Sequence, residues 1–307
     1  MLASTLDMIG NTPLIALDRI HRGPGRLLAK AEFIQPGGSV KDRAALAIIE
    51  DAYRTGELVK GQPVVEMTSG NMGAGLAVVC NVLGNPFVAT MSRGNSPERA
   101  RMLRSLGAEL ILVPQVNGTL GKVTGPDIEA AVEEARRIAE ERGAYYVNQF
   151  YRDGCMRAHE EGTGPELWKE LGSAIDAFVA AVGSGGTFVG TSRFLKRSQP
   201  NIRCYAVEPQ GAEVLAGKPL EKPGHMLQGT GYGLIPPHWE AGLADGFFSV
   251  SDEEATEFRQ RLANEEGLHV GYSAAANVCA AIKLLQSREL GAHPNVITML
   301  CDTGLKY

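Results

Sequence analysis

This 307-residue sequence predicts an α/β fold with largely parallel sheets, long enough for two modest domains or one large one. Short apolar runs of about four to six residues, the usual strand length, recur along the chain. Segments with helical period lie between them, as in folds built from alternating strands and helices. Glycine, at 37 residues, is about 12% of the chain against a usual ~7%, which supplies tight turns and close backbone approaches.

The N-terminal residues Met1-Leu2-Ala3-Ser4-Thr5-Leu6-Asp7 show no basic segment followed by an apolar stretch. No signal peptide or membrane-spanning run is therefore expected, and the odd, dispersed set of five cysteines adds the expectation of a cytoplasmic location. Ser39 reads as the N-cap of a helix entering the apolar run 44–49, with Asp42 in its first turn. Strands are expected at 64–67, 87–90 and 110–113, with a helical run at 74–83. The stretch 116–126, rich in Gly and Thr, reads as a loop or lid. A helix follows over 128–139, where Ile128, Val132, Ala135, Ile138 and Ala139 share one face. A break near 143–145 separates one set of strand–helix units from the next. The second set has strands at 178–182, 204–207 and 296–300, and helices at 188–195 and 277–285. Ser251-Asp252-Glu253-Glu254 reads as a capping box opening a helix that carries Phe258 and Leu262.

Composition narrows the function. A net charge of −5, a sequence pI of about 5.8 and no basic stripe argue against nucleic acid as a partner. The cysteines Cys80, Cys155, Cys204, Cys279 and Cys301 are dispersed, with no Cys-x-x-Cys pair, which fits reduced thiols. Cys155 and His159 could share a helix face, but no second ligand pair lies near them and no metal is expected.

Three polar turns carry the chemistry. Lys41, in Gly37-Gly38-Ser39-Val40-Lys41-Asp42-Arg43, falls in the first turn of a helix, at the end of the dipole that cations avoid. A neutral lysine amine is a nucleophile able to form a Schiff base with a carbonyl. Thr68-Ser69-Gly70-Asn71-Met72-Gly73 joins a strand to a helix. Its backbone N–H groups, hydroxyls and amide suit a carboxylate or a ring oxygen. Gly183-Ser184-Gly185-Gly186-Thr187 joins another strand to another helix as a nest suited to phosphate. It is not the dinucleotide fingerprint, because Phe188 stands where Gly is required. Neither Gly121-Lys122-Val123 nor Gly217-Lys218-Pro219 makes a Walker loop. A fourth turn, Gly271-Tyr272-Ser273-Ala274, reads as an ordinary helix start. Any one of these turns could exist without a ligand. Together, a Schiff-base lysine, a phosphate cup and a carboxylate pocket are what pyridoxal 5′-phosphate chemistry on an amino acid requires.

The order of motifs resembles the cysteine synthase and cystathionine β-synthase family of fold-type-II pyridoxal phosphate enzymes, over almost the whole chain. The resemblance rests on Gly10-Asn11-Thr12-Pro13-Leu14, the Lys41 and Thr68 segments, Asn148-Gln149-Phe150 and Thr163-Gly164-Pro165-Glu166. Further on it rests on the Gly183 turn, Gln228-Gly229-Thr230-Gly231 and Gly271-Tyr272-Ser273. It implies a tryptophan synthase β-like architecture of two three-layer αβα domains. A smaller mobile domain would span 40–145, and a larger cofactor-anchoring domain 1–39 and 146–307. It further implies a homodimer acting on a small amino acid and a nucleophile. Lys41 is the Schiff-base lysine and general base by resemblance, and Asn71 the partner of the cofactor's 3′-oxygen. Gly183, Ser184, Gly185, Gly186 and Thr187 correspond to the phosphate cup, and Ser273 to the partner of the pyridine nitrogen. Thr68, Ser69, Gly70, Met72, Gln149, Gly231 and Tyr272 correspond to substrate contacts. The implied reaction is β-replacement on O-acetyl-L-serine through an aminoacrylate.

Two departures bear on the nucleophile. Cysteine synthases usually carry Thr at Met72, and Ile-Ser-Ser-Gly at Tyr272-Ser273-Ala274-Ala275. Met72 removes a hydroxyl, and Tyr272 adds a large ring with a polar tip. The pair resembles the O-ureido-L-serine synthases, which use hydroxyurea. Sulfide, giving L-cysteine, and cyanide, giving β-cyanoalanine, stay open as nucleophiles. A serine or threonine dehydratase and a non-enzymatic relative stay open as functions. The sequence stops soon after Gly304-Leu305-Lys306-Tyr307, where such relatives usually continue, so an incomplete C-terminus is expected.

Overall fold

The structure, a computed structural model, describes residues 2–121 and 123–307. Lys122, in the expected loop 116–126, lies outside the described residues. The chain divides into two compact units. The first holds residues 2–9, Gln35–Gly154 and Lys306, and the second holds Gly10–Ile34, Cys155–Leu305 and Tyr307.

In chain order the strands are β1 (Leu14–Ala16), β2 (Arg26–Lys30), β3 (Val64–Met67), β4 (Phe87–Ser92) and β5 (Glu109–Val113). They continue with β6 (Tyr145–Tyr146), β7 (Ala177–Ala181), β8 (Arg203–Pro209), β9 (Gly246–Val250) and β10 (Asn295–Met299). The helices are α1 (Lys41–Thr55), α2 (Asn71–Leu83), α3 (Pro97–Ser105), α4 (Gly125–Arg142) and α5 (Gly154–Ala158). After them come α6 (Gly164–Leu171), α7 (Gly186–Ser198), α8 (Asp252–Arg261) and α9 (Tyr272–Ser287).

The first unit is built on a parallel sheet ordered β5-β4-β3-β6. Helix α4 closes a core with Val65, Val88, Ala135 and Ile138, and the Thr90 hydroxyl donates to its Ala131 carbonyl at 2.7 Å. Ile128, expected on the buried stripe of that helix, is 40% exposed. It stands in the first turn, beside Asp127, which is buried instead. The Asp127 carboxylate accepts hydrogen bonds from the N–H groups of Val116 (2.7 Å), Asn117 (3.2 Å) and Gly118 (3.3 Å) and from Thr124. The Thr124 hydroxyl and those amides hold its carboxyl well below the usual carboxylate range. One side chain thus gathers both ends of the 116–124 loop. Helices α1 and α2 meet closely at Gly75, where an added Cβ would lie 3.1 Å from Asp42 Cα and 3.2 Å from Ala45 Cβ.

The second unit is built on a sheet ordered β1-β2-β10-β7-β8-β9, parallel except for the β1–β2 pair. The short β1 and β6, and β2 and β9, were not expected from the sequence. Strand β2 ends on Lys30, a charge that reads as exposed. It is fully buried, and its ammonium lies 3.1 Å from Glu166 and 3.0 Å from Glu170. Helix α9 is buried along most of its length, with Ala274, Ala275, Ala276, Val278 and Ala281 in the core. Its Asn277 ties the helix to two strands: Oδ1 accepts from the Ala181 N–H (2.7 Å) and Nδ2 donates to the Met299 carbonyl (2.9 Å). The Ser251 capping box forms as expected, with the Glu254 N–H on Ser251 Oγ (3.1 Å) and the Ser251 N–H on Glu254 Oε2 (3.0 Å). The helix it opens ends at Arg261, and Leu262 begins a wider turn.

Among the described residues no helix is long and apolar enough to cross a membrane, and no group of three or more His, Cys, Asp or Glu could hold a metal ion.

Candidate active site

In the first unit, Lys41 is the first residue of α1. The helix is entered through Val40, already in helical conformation (φ −53°), and not through Ser39. The Ser39 hydroxyl accepts from the Lys41 N–H at 3.3 Å, while Asp42 turns back to take the Gly37 N–H. A Cβ on Gly37 would lie 2.6 Å from Asp42 Oδ1, so glycine is what lets this turn close. The Lys41 side chain is half-buried at the positive end of the helix dipole. Its ammonium has no hydrogen-bond or ion-pair partner among the described residues.

Helix α2 opens beside it on the 68–73 turn. The Thr68 oxygen accepts from the N–H groups of Gly70 (3.4 Å) and Gly73 (3.0 Å), which caps the helix and leaves the hydroxyl proton to donate. The Ser69 hydroxyl accepts from Arg99 at 3.3 Å. The N–H groups of Ser69 and Met72 have no acceptor among the described residues. A Cβ on Gly70 would meet nothing within 4 Å, so space lies open beside this turn. Asn71 Oδ1 accepts from Lys306 at 2.8 Å, and Met72 is buried at 3% exposure. Gln149 is held by the buried Glu66, whose carboxylate accepts from Gln149 Nε2 (3.1 Å) and from the Asn148 N–H (2.8 Å). Burial pushes the Glu66 carboxyl up to about 7, against the pull of those donors.

In the second unit, β7 leads into the 183–187 turn. A Cβ on Gly183 would stand 2.1 Å from the Gly229 carbonyl oxygen and one on Gly186 2.6 Å from that of Cys155, and Gly185 has φ +93°. No side chain caps α7. The N–H groups of Ser184, Gly185, Gly186 and Thr187 have no acceptor among the described residues, which leaves four donors at a helix N-terminus. The Thr187 hydroxyl lies 3.2 Å from His159 Nε2, and His159 Nδ1 lies 2.9 Å from Thr163 Oγ1. His159 is buried in a wide, π-type turn between α5 and α6. Gly231 packs against the same turn: its N–H donates to the Val182 carbonyl (3.4 Å), and its φ of +57° suits glycine.

Ser273, the second residue of α9, is buried at 8% exposure, and its hydroxyl has no partner among the described residues. The ring of Tyr272 is fixed from two sides. The Arg259 guanidinium lies 4.7 Å from its centroid, and Tyr307 meets it edge-on at 5.7 Å. Arg259 is itself bonded to the carbonyls of Val270 (3.0 Å) and Gly304 (3.3 Å), and the Tyr307 hydroxyl to Asp302 (2.7 Å). The Tyr272 hydroxyl has no hydrogen-bond partner among the described residues.

The profile of a family described as pyridoxal-phosphate dependent enzyme matches residues 5–302. A cysteine synthase of Staphylococcus aureus is 40% identical over 303 residues, covering 98% of this chain and 93% of the relative. The chain belongs to the cysteine synthase and cystathionine β-synthase family. Its structural neighbours include an O-ureido-L-serine synthase (TM-score 0.90, 34% identity, 100% of this chain and 93% of the neighbour). Another is the O-acetylserine dependent cystathionine β-synthase of Helicobacter pylori (TM-score 0.89, 33% identity, 100% and 97%). The expected α/β fold of type II, with mostly parallel sheets, holds.

Family membership makes the chain pyridoxal-phosphate dependent. The residues present fit that group. Four open N–H donors suit a phosphate, an amine without an ion-pair partner suits an aldehyde, and an open hydroxyl at Ser273 suits a ring nitrogen. Two side chains behind them were not singled out from the sequence, Glu66 behind Gln149 and Arg259 behind Tyr272, and His159 was weighed only as a metal ligand beside Cys155, not as the partner of Thr187. Glu66 left one signal, an acid inside an apolar strand.

Proposed function

We propose that this protein is a transferase that replaces the acetoxy group of O-acetyl-L-serine by a nucleophile, with hydroxyurea giving O-ureido-L-serine and sulfide also accepted to give L-cysteine. Gly183, Ser184, Gly185, Gly186 and Thr187 would hold the phosphate of pyridoxal phosphate, Lys41 its aldehyde carbon, Asn71 its 3′-oxygen and Ser273 its ring nitrogen. When bound, the group supplies the electron sink that makes the α-hydrogen of an amino acid acidic.

The chain's own residues account for the rest. Thr68 donates its hydroxyl proton, and Ser69 and Met72 their N–H groups, to the substrate carboxylate, with Gln149 held ready by Glu66. Lys41 Nζ takes the α-proton as acetate leaves Cβ. The nucleophile then forms its bond to Cβ and gives up its own proton, and Lys41 returns a proton to Cα. Ser273 offers the ring nitrogen a neutral hydroxyl, a weaker pull than a carboxylate partner would give. That suits prompt loss of the leaving group.

The observation that carries the choice of nucleophile is Tyr272. Its ring is locked by Arg259 and Tyr307, and its hydroxyl is open among the described residues. A pre-positioned phenol can hydrogen-bond a polar nucleophile of several atoms at little entropic cost. Sulfide needs no such partner. A second reading, sulfide as the sole nucleophile, is favoured by the 40% identity to the Staphylococcus aureus cysteine synthase.

The class of reaction is tested with the cofactor-loaded protein and O-acetyl-L-serine. Acetate release that yields a β-substituted alanine only when a nucleophile is present, and that Lys41→Ala abolishes (at least a ~10³-fold loss), is the expected result. Catalytic pyruvate and ammonia without any nucleophile would make it a dehydratase. Turnover by Lys41→Ala would remove Lys41 from its assigned role.

A further inference from the structure

Lys306 has a contact that the proposed reaction leaves unused. Its ammonium donates to Asn71 Oδ1 at 2.8 Å and to the Gly37 carbonyl at 2.6 Å. All three residues belong to the first unit. Gly37 begins the turn that leads into Lys41, and its N–H is taken by the carboxylate of Asp42. Asn71 is the first residue of α2. The Lys306 side chain is half-buried.

A lysine ammonium has three N–H donors and no acceptor. It can face only the oxygen of an amide side chain. The contact therefore favours one orientation of the Asn71 amide, with its carbonyl toward Lys306 and its NH2 group away. Without Lys306, that carbonyl loses a charged donor that favours this orientation over the one rotated by half a turn, which would present an acceptor where a donor is needed. A bond from a charged donor also polarises the amide and strengthens its remaining N–H groups as donors.

We infer that Lys306 is a positioning residue for the cofactor, which locks Asn71 with its amide NH2 as the donor to the cofactor's anionic 3′-oxygen. The inference rests on the assignment of Asn71 to that oxygen. The positive charge one hydrogen bond behind Asn71 favours the ionised form of an oxygen held there. By bonding Gly37 as well, the same ammonium fastens the turn before Lys41 to the start of α2.

The test is a cycle of variants: Lys306→Met, Lys306→Arg, Asn71→Ala, and Lys306→Met combined with Asn71→Ala. Each is measured for pyridoxal phosphate affinity by equilibrium dialysis, for the visible absorption band of the bound cofactor, and for melting temperature. Lys306→Met should weaken cofactor binding about tenfold, the worth of one good hydrogen bond, and shift the band. Lys306→Arg, a donor of the same charge, should restore both. In the Asn71→Ala background, Lys306→Met should add no further loss. Equal losses in both backgrounds would overturn the inference, because Lys306 would then act without Asn71. So would a lower melting temperature with unchanged affinity and band, the mark of a merely structural contact. If Lys306→Met does not fold, Lys306→Gln keeps a donor without the charge. It should shift the band, and a wild-type band in it overturns the inference. An Asn71→Ala variant with wild-type affinity and band would show that the assignment of Asn71 itself fails.

Discussion

Tyr272 and Glu66 show how single side chains set chemistry through what stands behind them. On the proposed reading, Tyr272 would serve a polar nucleophile, because Arg259 and Tyr307 hold its ring while its hydroxyl stays open among the described residues. Tyr272→Ile should lower kcat/KM for hydroxyurea about tenfold, the loss of one hydrogen bond, and leave that for sulfide near wild type. Steady-state kinetics with each nucleophile checks this, and equal losses for both would make Tyr272 a packing residue. Glu66 behaves differently, because burial raises its carboxyl from 4.5 to about 7. The folded protein then holds that proton more tightly than the unfolded chain does. The resulting stabilisation is full below about pH 4.5 and is lost as pH rises through about 7. Melting temperatures between pH 5.5 and 8 should fall in the wild type and fall less in Glu66→Gln. Parallel slopes would contradict the assignment.

At the scale of elements, the turns proposed to carry chemistry were legible as strand–turn–helix junctions because the rules for such junctions are local. A strand, a small polar or glycine-rich turn and a helix start can be read at 68–73 and 183–187 from residue types alone. The supports behind them were not legible, because they join distant parts of the chain. Lys306 and Asn71 stand 235 residues apart, and Glu66 and Gln149 83 apart. Strand β2 was hidden by Lys30, whose buried ion pairs with Glu166 and Glu170 are invisible to a reading that counts lysine as exposed. Asn277 is the support whose loss should be felt most at this scale. It bonds the Ala181 N–H and the Met299 carbonyl at the ends of β7 and β10, and so fixes α9 and with it Ser273. Asn277→Leu should cost ~2–4 kcal/mol, since two buried backbone groups lose their partner. Urea unfolding checks this, and an unchanged midpoint would show that those groups find other partners.

For the whole molecule, sequence and structure agree on the family, the fold type and dependence on pyridoxal phosphate. Family-wide chemistry is written in the motifs that bind the cofactor, so it survives at 40% identity. On the proposed reading, the choice of nucleophile rests on a few side chains, Met72 and Tyr272 among them. The decisive measurement is a competition. The cofactor-loaded protein is given O-acetyl-L-serine with equal concentrations of sulfide, hydroxyurea and cyanide, and the amino-acid products are resolved by mass spectrometry. O-ureido-L-serine as a major product, alongside some L-cysteine, is the expected result. L-cysteine alone, or β-cyanoalanine in place of both, would contradict the assignment of hydroxyurea.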